Sequence, residues 1–214
     1  MKFKKERLLI IAPHADDEIL GCYSLIKKVK DNGGEVFVQI LSLGGYEKIE
    51  GKRITKEDWA QELANVSQYL QIDDYDIAFT NNEFQWIDVK PKHELISYIE
   101  SKSKISISKI KPTIVAIPSV NSHHQDHIHI FKACIAALRP LNKPIVDTVI
   151  SYEAPEHSRW SASGVFQPNL YIDIEKHLTR KISAFYKYKS QIRIGGRDKH
   201  TIKNHAEYRG KEAG

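Results

Sequence analysis

The stretch Arg7-Leu8-Leu9-Ile10-Ile11-Ala12-Pro13-His14-Ala15-Asp16-Asp17-Glu18 decides how the chain is read. Leu8 to Ala12 is a compact apolar run of the kind that forms a buried strand. Ile19 to Lys30 follows as a helix-like segment. One histidine and three carboxylates therefore crowd into the five positions His14–Glu18, at a strand-to-helix corner. In open α/β sheets such corners are where ligands bind.

Outward from this corner, strands and helices alternate. A helix over Glu18–Asp31 is closed by Asn32-Gly33-Gly34, residues tolerant of positive φ. Glu35–Leu41 reads as a second strand, with a permissive loop over Ser42–Tyr46. Thr55 or Asp58 opens a helix to about Gln71, with Trp59, Leu63, Val66 and Leu70 on one stripe. Tyr75–Phe79 is a third strand and Lys92–Ile105 a helix, while Ser101–Lys111 is ambiguous. Pro112–Pro118 is a buried strand leading through Ser119–His127 into a helix to Leu138. Asp147–Tyr152 is another strand, Leu170–Ile174 a last short one, and Glu175–Ser190 the final helix. The alternation predicts an α/β, three-layer Rossmann-like fold with a mostly parallel sheet, as one domain over residues 1–214. The carboxyl ends of parallel strands share one edge, so His14, the loop after the second strand, Asn81-Asn82, the histidines after Pro118, and Glu153 can converge there.

Bulk properties narrow the class. The net charge of +5 arises from dispersed Lys and Arg, which describes a solvated surface; a nucleic-acid reader needs one basic face, and none is expected. The chain has two cysteines, Cys22 and Cys134, both on apolar helix faces, which fits a reducing compartment and a cytoplasmic protein. The basic N-terminus resembles a signal peptide, but the apolar run behind it is too short and runs straight into carboxylates. No run approaches the ~18 apolar residues of a membrane span. Oligomeric state is not legible.

Chemistry concentrates in two clusters. His14 and Asp17 lie three apart, so a tight turn or first helical turn brings them together. Asp16, about 100° round a helix from Asp17, cannot duplicate that ligand and suits a place beside the water of a metal site. The plain alternative is that Asp16, Asp17 and Glu18 complement a helix start; it leaves His14 unexplained. In His123-His124-Gln125-Asp126-His127-Ile128-His129, His124 and His127 repeat the same spacing at the second strand-to-helix junction. His14, Asp17 and His127 make a two-histidine, one-carboxylate set with an open position, as catalytic zinc uses. His124 then sits beside the metal or acts in catalysis, and Asp126 can orient a ring N–H. His123 and His129 read as surface histidines. Neither G-x-G-x-x-G after the first strand, a P-loop, a G-x-S-x-G elbow nor a cysteine-rich structural zinc set is present.

Pro13-His14-Ala15-Asp16-Asp17-Glu18 together with His124-Gln125-Asp126-His127 resembles the LmbE-like (PIG-L) family of zinc-dependent N-acetylglucosaminyl deacetylases. The usual first motif is A-H-P-D-D-E; here Ala15 replaces the proline and Pro13 precedes the histidine. Phe166–Asn169, Lys181–Gln191 and Tyr208-Arg209-Gly210 resemble later family segments. Where many members carry an arginine, Trp59 stands ahead of Glu62, and nearby Arg53 is the candidate substrate-binding substitute. The resemblance implies that His14, Asp17 and His127 bind Zn2+ or another divalent metal, and that Asp16 is the general base. His124 is implied to meet the tetrahedral intermediate as a protonated imidazole, with Asp126 holding its tautomer.

The implied activity is hydrolytic removal of an N-acetyl group from an N-acetylglucosamine-type sugar or conjugate by metal-activated water, with release of acetate. The alternatives are an amidase for another sugar- or thiol-conjugate amide, and a non-catalytic basic binding module. Loops Gly44–Lys56, Asn81–Asp88 and Ala154–Gly164 are expected to line the pocket, with Tyr46, Trp86 and Trp160 available to stack on a sugar ring.

Overall fold

A computed structural model describes residues 3–47, 53–81, 87–140, 145–156, 164–194 and 196–214. Among these residues five parallel strands form one sheet: β1 (Arg7–Ala12), β2 (Glu35–Gly44), β5 (Asp74–Asn81), β6 (Ile114–Pro118) and β7 (Thr148–Tyr152). Their order is β5-β2-β1-β6-β7. The chain winds outward from β1 through β2 to β5, then returns to the other side of β1 with β6 and β7. The reversal falls between β1 and β6, where Leu8, Leu9 and Ile10 pair with Ile114, Val115 and Ala116. That gap at the carboxyl edge is the topological switch point, the ligand position in doubly wound sheets.

The central strand explains the layers. Leu8, Ile10 and Ala12 point into one core and Leu9 and Ile11 into the other, all fully buried. The first core is covered by α1 (Asp17–Leu20), α2 (Tyr23–Asp31), α3 (Lys56–Leu70), α7 (Leu178–Phe185) and α8 (Lys199–Ala213). The second is covered by α4 (Lys92–Ser97), its π-helical continuation Tyr98–Lys102, and α6 (Gln125–Ala137). Cys22 lies in one core and Cys134 in the other, both buried and free. The three-layer α/β reading therefore holds. No helix of the described residues is long and apolar enough to cross a membrane.

Several boundaries differ from the sequence reading. The helix expected over Glu18–Asp31 is two helices, with a joint at Gly21-Cys22. There the Tyr152 ring and the Glu153 carbonyl crowd the place of a Gly21 side chain, the oxygen 2.9 Å from where a Cβ would stand. The expected loop over Ser42–Tyr46 is mostly strand: β2 runs to Gly44, and β3 (Tyr46–Glu47) pairs with β4 (Arg53–Ile54). Leu170–Ile174 forms no ladder; Leu170 and Tyr171 are exposed and have no sheet face to bury. The final helix over Glu175–Ser190 is a 3-10 turn (Glu175–His177), α7, and a second 3-10 turn at Lys189–Gln191. Lys92–Ile105 stops at Lys102, and Ile107–Ile110 forms a separate α5.

Candidate active site

The first corner is pinned from every side. Ser42 N–H donates to the Pro13 carbonyl at 2.9 Å, and Trp59 Nε1 to the Ala15 carbonyl at 3.0 Å. The His14 amide donates to Asp17 Oδ2 at 3.0 Å. Asp16 holds φ at 143°, where side-chain-bearing residues are rarely found and strain of about 1–3 kcal/mol is usual. Its amide donates to Glu18 Oε2 at 2.9 Å, while its carbonyl accepts from Ile19 and Leu20 at 3.0 and 2.9 Å.

The second junction meets it across the switch point. His124 is the N-cap of α6, its Nδ1 accepting from the Asp126 amide at 3.3 Å. Asp126 and His127 are buried in the first turn beyond it. The rings of His14, His124 and His127 form a cluster with centroids 4.9–5.5 Å apart. Asp17 Oδ2 lies 3.6 Å from His14 Nδ1 and 3.4 Å from His127 Nε2.

His14, Asp17 and His127 each offer one ligand atom, all within 4.8 Å of one another, and all three are buried. Two imidazoles and a carboxylate converging in a buried position suit a divalent ion of the zinc class. His14 shares a second triad with His124 and Asp126. Its Nε2 is 3.0 Å from Asp126 Oδ2, so a proton there leaves Nδ1 turned toward Asp17. The Asp126 carboxylate meets His14, and its amide donates to His124 Nδ1.

Charge states follow from this packing. Burial opposes a charge on His14, but its hydrogen bonds to Asp126 and Asp17 outweigh that and raise it to about 9. Asp17 resists desolvation through His127 and His14 and stays well below the usual carboxylate range. His124 is pushed down to about 4 by burial and by the charges of His14 and His127, so its ring is neutral. Asp16 is raised to about 7 by burial, against the pull of Arg197 and with the push of Asp17. Burial also lifts Glu18 to about 8.

Two partners of the corner carboxylates, Arg197 and Tyr188, were not foreseen. Arg197 Nη1 donates to Asp16 Oδ2 at 2.5 Å, and its Nε to Glu156, which also takes Arg193. Tyr188 Oη donates to Glu18 Oε1 at 2.7 Å. Glu18 is thus a buried strut between the corner and the segment after α7, beyond a simple helix-start charge. Arg197 sits in a polar tail with no periodic pattern, so sequence carried no signal for it. Trp59 turns its indole onto the corner, and Glu62 accepts the Ser190 amide at 2.9 Å. Arg53 is exposed on β4. Trp86, Trp160 and Asn82 lie outside the described residues, as do the side chains of Tyr46 and Asn81.

A sequence model of the PIG-L family, described as GlcNAc-PI de-N-acetylase, matches residues 9–138, which span both junctions. The chain belongs to the PIG-L family. Among curated proteins it is similar to the uncharacterized deacetylase YaiS of Escherichia coli (strain K12), 24% identical over 87% of this chain and 92% of that protein. Among solved structures it resembles the N,N'-diacetylchitobiose deacetylase of Pyrococcus horikoshii, with TM-score 0.64 and 17% identity over 88% of this chain and 72% of that one. It also resembles the 4-carboxy-2-hydroxymuconate hydratase of Pseudomonas putida KT2440, with TM-score 0.70 and 17% identity over 97% and 87%. The shared fold thus carries more than one chemistry, and for this PIG-L chain the reaction must be argued from its site.

Proposed function

We propose that this PIG-L protein is a divalent-metal-dependent deacetylase, zinc being the ion its donors suit, that removes an N-acetyl group from an N-acetylglucosamine-type sugar or conjugate. The observation that carries the reading is the buried His14–Asp17–His127 set with a separate buried carboxylate, Asp16, beside it and held by Arg197. The family description and the named substrate of the Pyrococcus relative support an N-acetylated glucosamine. The two buried free cysteines, one in each core, support a cytoplasmic setting.

In this reading His14, Asp17 and His127 hold the ion. A bound divalent ion supplies Lewis acidity and brings the pKa of a bound water to about 7. Asp16 accepts the proton of the attacking water, help typically worth ~10²–10⁴ in rate. Arg197 keeps its carboxylate in place. With Nδ1 of His124 taken by the Asp126 amide, the neutral ring carries its proton on Nε2. That N–H donates to the amide oxygen as negative charge develops there. A neutral donor replaces the protonated His124 of the sequence reading, because His14 and His127 share its pocket. Asp16 then delivers its proton to the departing nitrogen, giving acetate and a free amine. Asp126 acts through His14, fixing the ring orientation.

The test is acetate release from a panel of N-acylated glucosamines and a thiol-conjugate amide, with and without chelator. Chelator-sensitive release of acetate and free amine from the glucosamines is the expected result. Cleavage of the thiol-conjugate amide alone would assign the site to an amidase, and turnover that survives complete metal removal would overturn the reading.

A further inference from the structure

A larger feature of the same sheet edge takes no part in this chemistry. A cleft of about 800 Å³ opens between the extended segment carrying Phe166 and Tyr171 and the face of α8 carrying Tyr208 and Arg209, with Glu153, the residue after β7, in its lining. Its walls are tied to the segments that carry the candidate active site. Asn121 Nδ2 donates to the Gly164 carbonyl at 3.1 Å, tying the start of the cleft wall to the loop that delivers His124. On the other side, Tyr152 and Glu153 pack against Gly21 at the end of α1.

The polar groups of the cleft are already organised. Arg209 donates to Glu153 from Nε at 2.9 Å and from Nη2 at 2.6 Å, and from Nη1 to Glu212 at 2.5 Å. His205 Nε2 stands 3.1 Å from the same Glu153. Among the described residues of the lining Arg209 is the one arginine or lysine, and it is committed to two carboxylates. A phosphate or carboxylate would find no spare cation and two negative charges. An alkyl chain would strip water from the Glu153–Arg209 pair and return no hydrogen bonds. Aromatic surface is nonetheless presented: Tyr208 is 56% exposed and Tyr171 40%, and the Arg209 guanidinium lies 5.3 Å from the Tyr208 ring centroid and 6.0 Å from that of Phe166. Ring faces beside a fixed carboxylate and guanidinium, with the amides of Gln167 and Asn204 in the lining, suit a molecule with C–H faces and a rim of hydroxyls.

We propose that this cleft is a saccharide subsite, holding a neutral hexose unit of the substrate that lies beyond the N-acyl ring reacting at His14–His127. The assignment rests on the deacetylase reading for its place in catalysis, but the cleft's ligand chemistry can be tested without it. The first measurement is titration of the metal-stripped full chain with a neutral disaccharide and with a sugar phosphate, followed by NMR. Saturable binding of the neutral sugar, weakened roughly five- to tenfold by Tyr208→Ala and by Tyr171→Ala, is expected. Absence of binding, binding unchanged in both variants, or tighter binding of the sugar phosphate would overturn the proposal. The second is the ratio of kcat/KM for a glucosaminide carrying a second hexose to that for the methyl glycoside. Tyr208→Ala lowers that ratio roughly tenfold through KM; an unchanged ratio would overturn the subsite's catalytic place. If no N-acetyl sugar is turned over at all, the deacetylase reading fails while the titration still decides the cleft.

Discussion

At the residue scale, the corner His14–Glu18 separates two carboxylates that sequence sets side by side. Asp17 faces two imidazoles, whereas Asp16, at a φ of 143°, meets Arg197. The separation predicts opposite phenotypes. Asp16→Asn should keep a stoichiometric divalent metal and lose ~10²–10⁴ in rate; Asp17→Asn should fail to retain the metal. Elemental analysis beside acetate release reads both, and metal loss from the Asp16 variant alone would reverse the assignment. A second prediction concerns protons in the metal-free protein. His14 is raised from 6.5 to about 9 in the folded state, so its contribution to stability is fully present below pH 6.5 and is lost as pH rises through 9. Glu18, raised from 4.5 to about 8, acts in the same direction over a lower window. Thermal unfolding in chelator should therefore show Tm falling from pH 6.5 to 9, with a shallower fall in His14→Gln; a rising Tm would contradict this. The gathering of His14, Asp17, His124 and His127 was legible because short spacings, i,i+3 at both junctions, bring side chains together locally. Arg197 and Tyr188 were not, since 181 and 170 positions separate them from their partners Asp16 and Glu18.

At the element scale, the corner depends on helices that contribute no catalytic group. α3 opens with a capping box between Thr55 and Asp58, and its buried face places Trp59 against the Ala15 carbonyl. Trp59→Phe keeps an aromatic ring but loses the pyrrole half of the indole with its donor, leaving a buried carbonyl unmatched beside a small void. The expected cost is about 1–3 kcal/mol in urea unfolding, together with reduced activity. An unchanged midpoint and rate would remove α3 from the support of the site. At the α1–α2 joint, Gly21→Ala pushes a methyl into the Tyr152 ring and the Glu153 carbonyl and should cost about 1–3 kcal/mol. The joint was invisible in sequence because the apolar periodicity runs through it, and only the packing of β7 demands glycine there. Helix α8 was missed for a related reason: Ile202 is its one buried residue, and the Asp198 cap is a weak signal amid polar sequence.

At the scale of the whole molecule, parallel winding makes two short motifs into one site. The corner after β1 and the junction after β6 are more than a hundred residues apart, yet β1 and β6 are hydrogen-bonded neighbours at the point where winding reverses. Alternation of strands and helices made that convergence legible. The segments outside the ladder, Leu170–Ile174 and the chain beyond Gln191, were the least legible, because their places are set by α7, α8 and long-range ion pairs such as Arg209 with Glu153. The most direct test of the central claim is acetate release from an N-acetylglucosaminide by wild-type and Asp16→Asn protein at matched divalent-metal content. Chelator-sensitive release by the wild type and at least a hundredfold slower release by the variant are expected, in line with the lower bound of ~10² for a lost general base. Equal rates at equal metal content, or no release by the fully metal-loaded wild type, would contradict it.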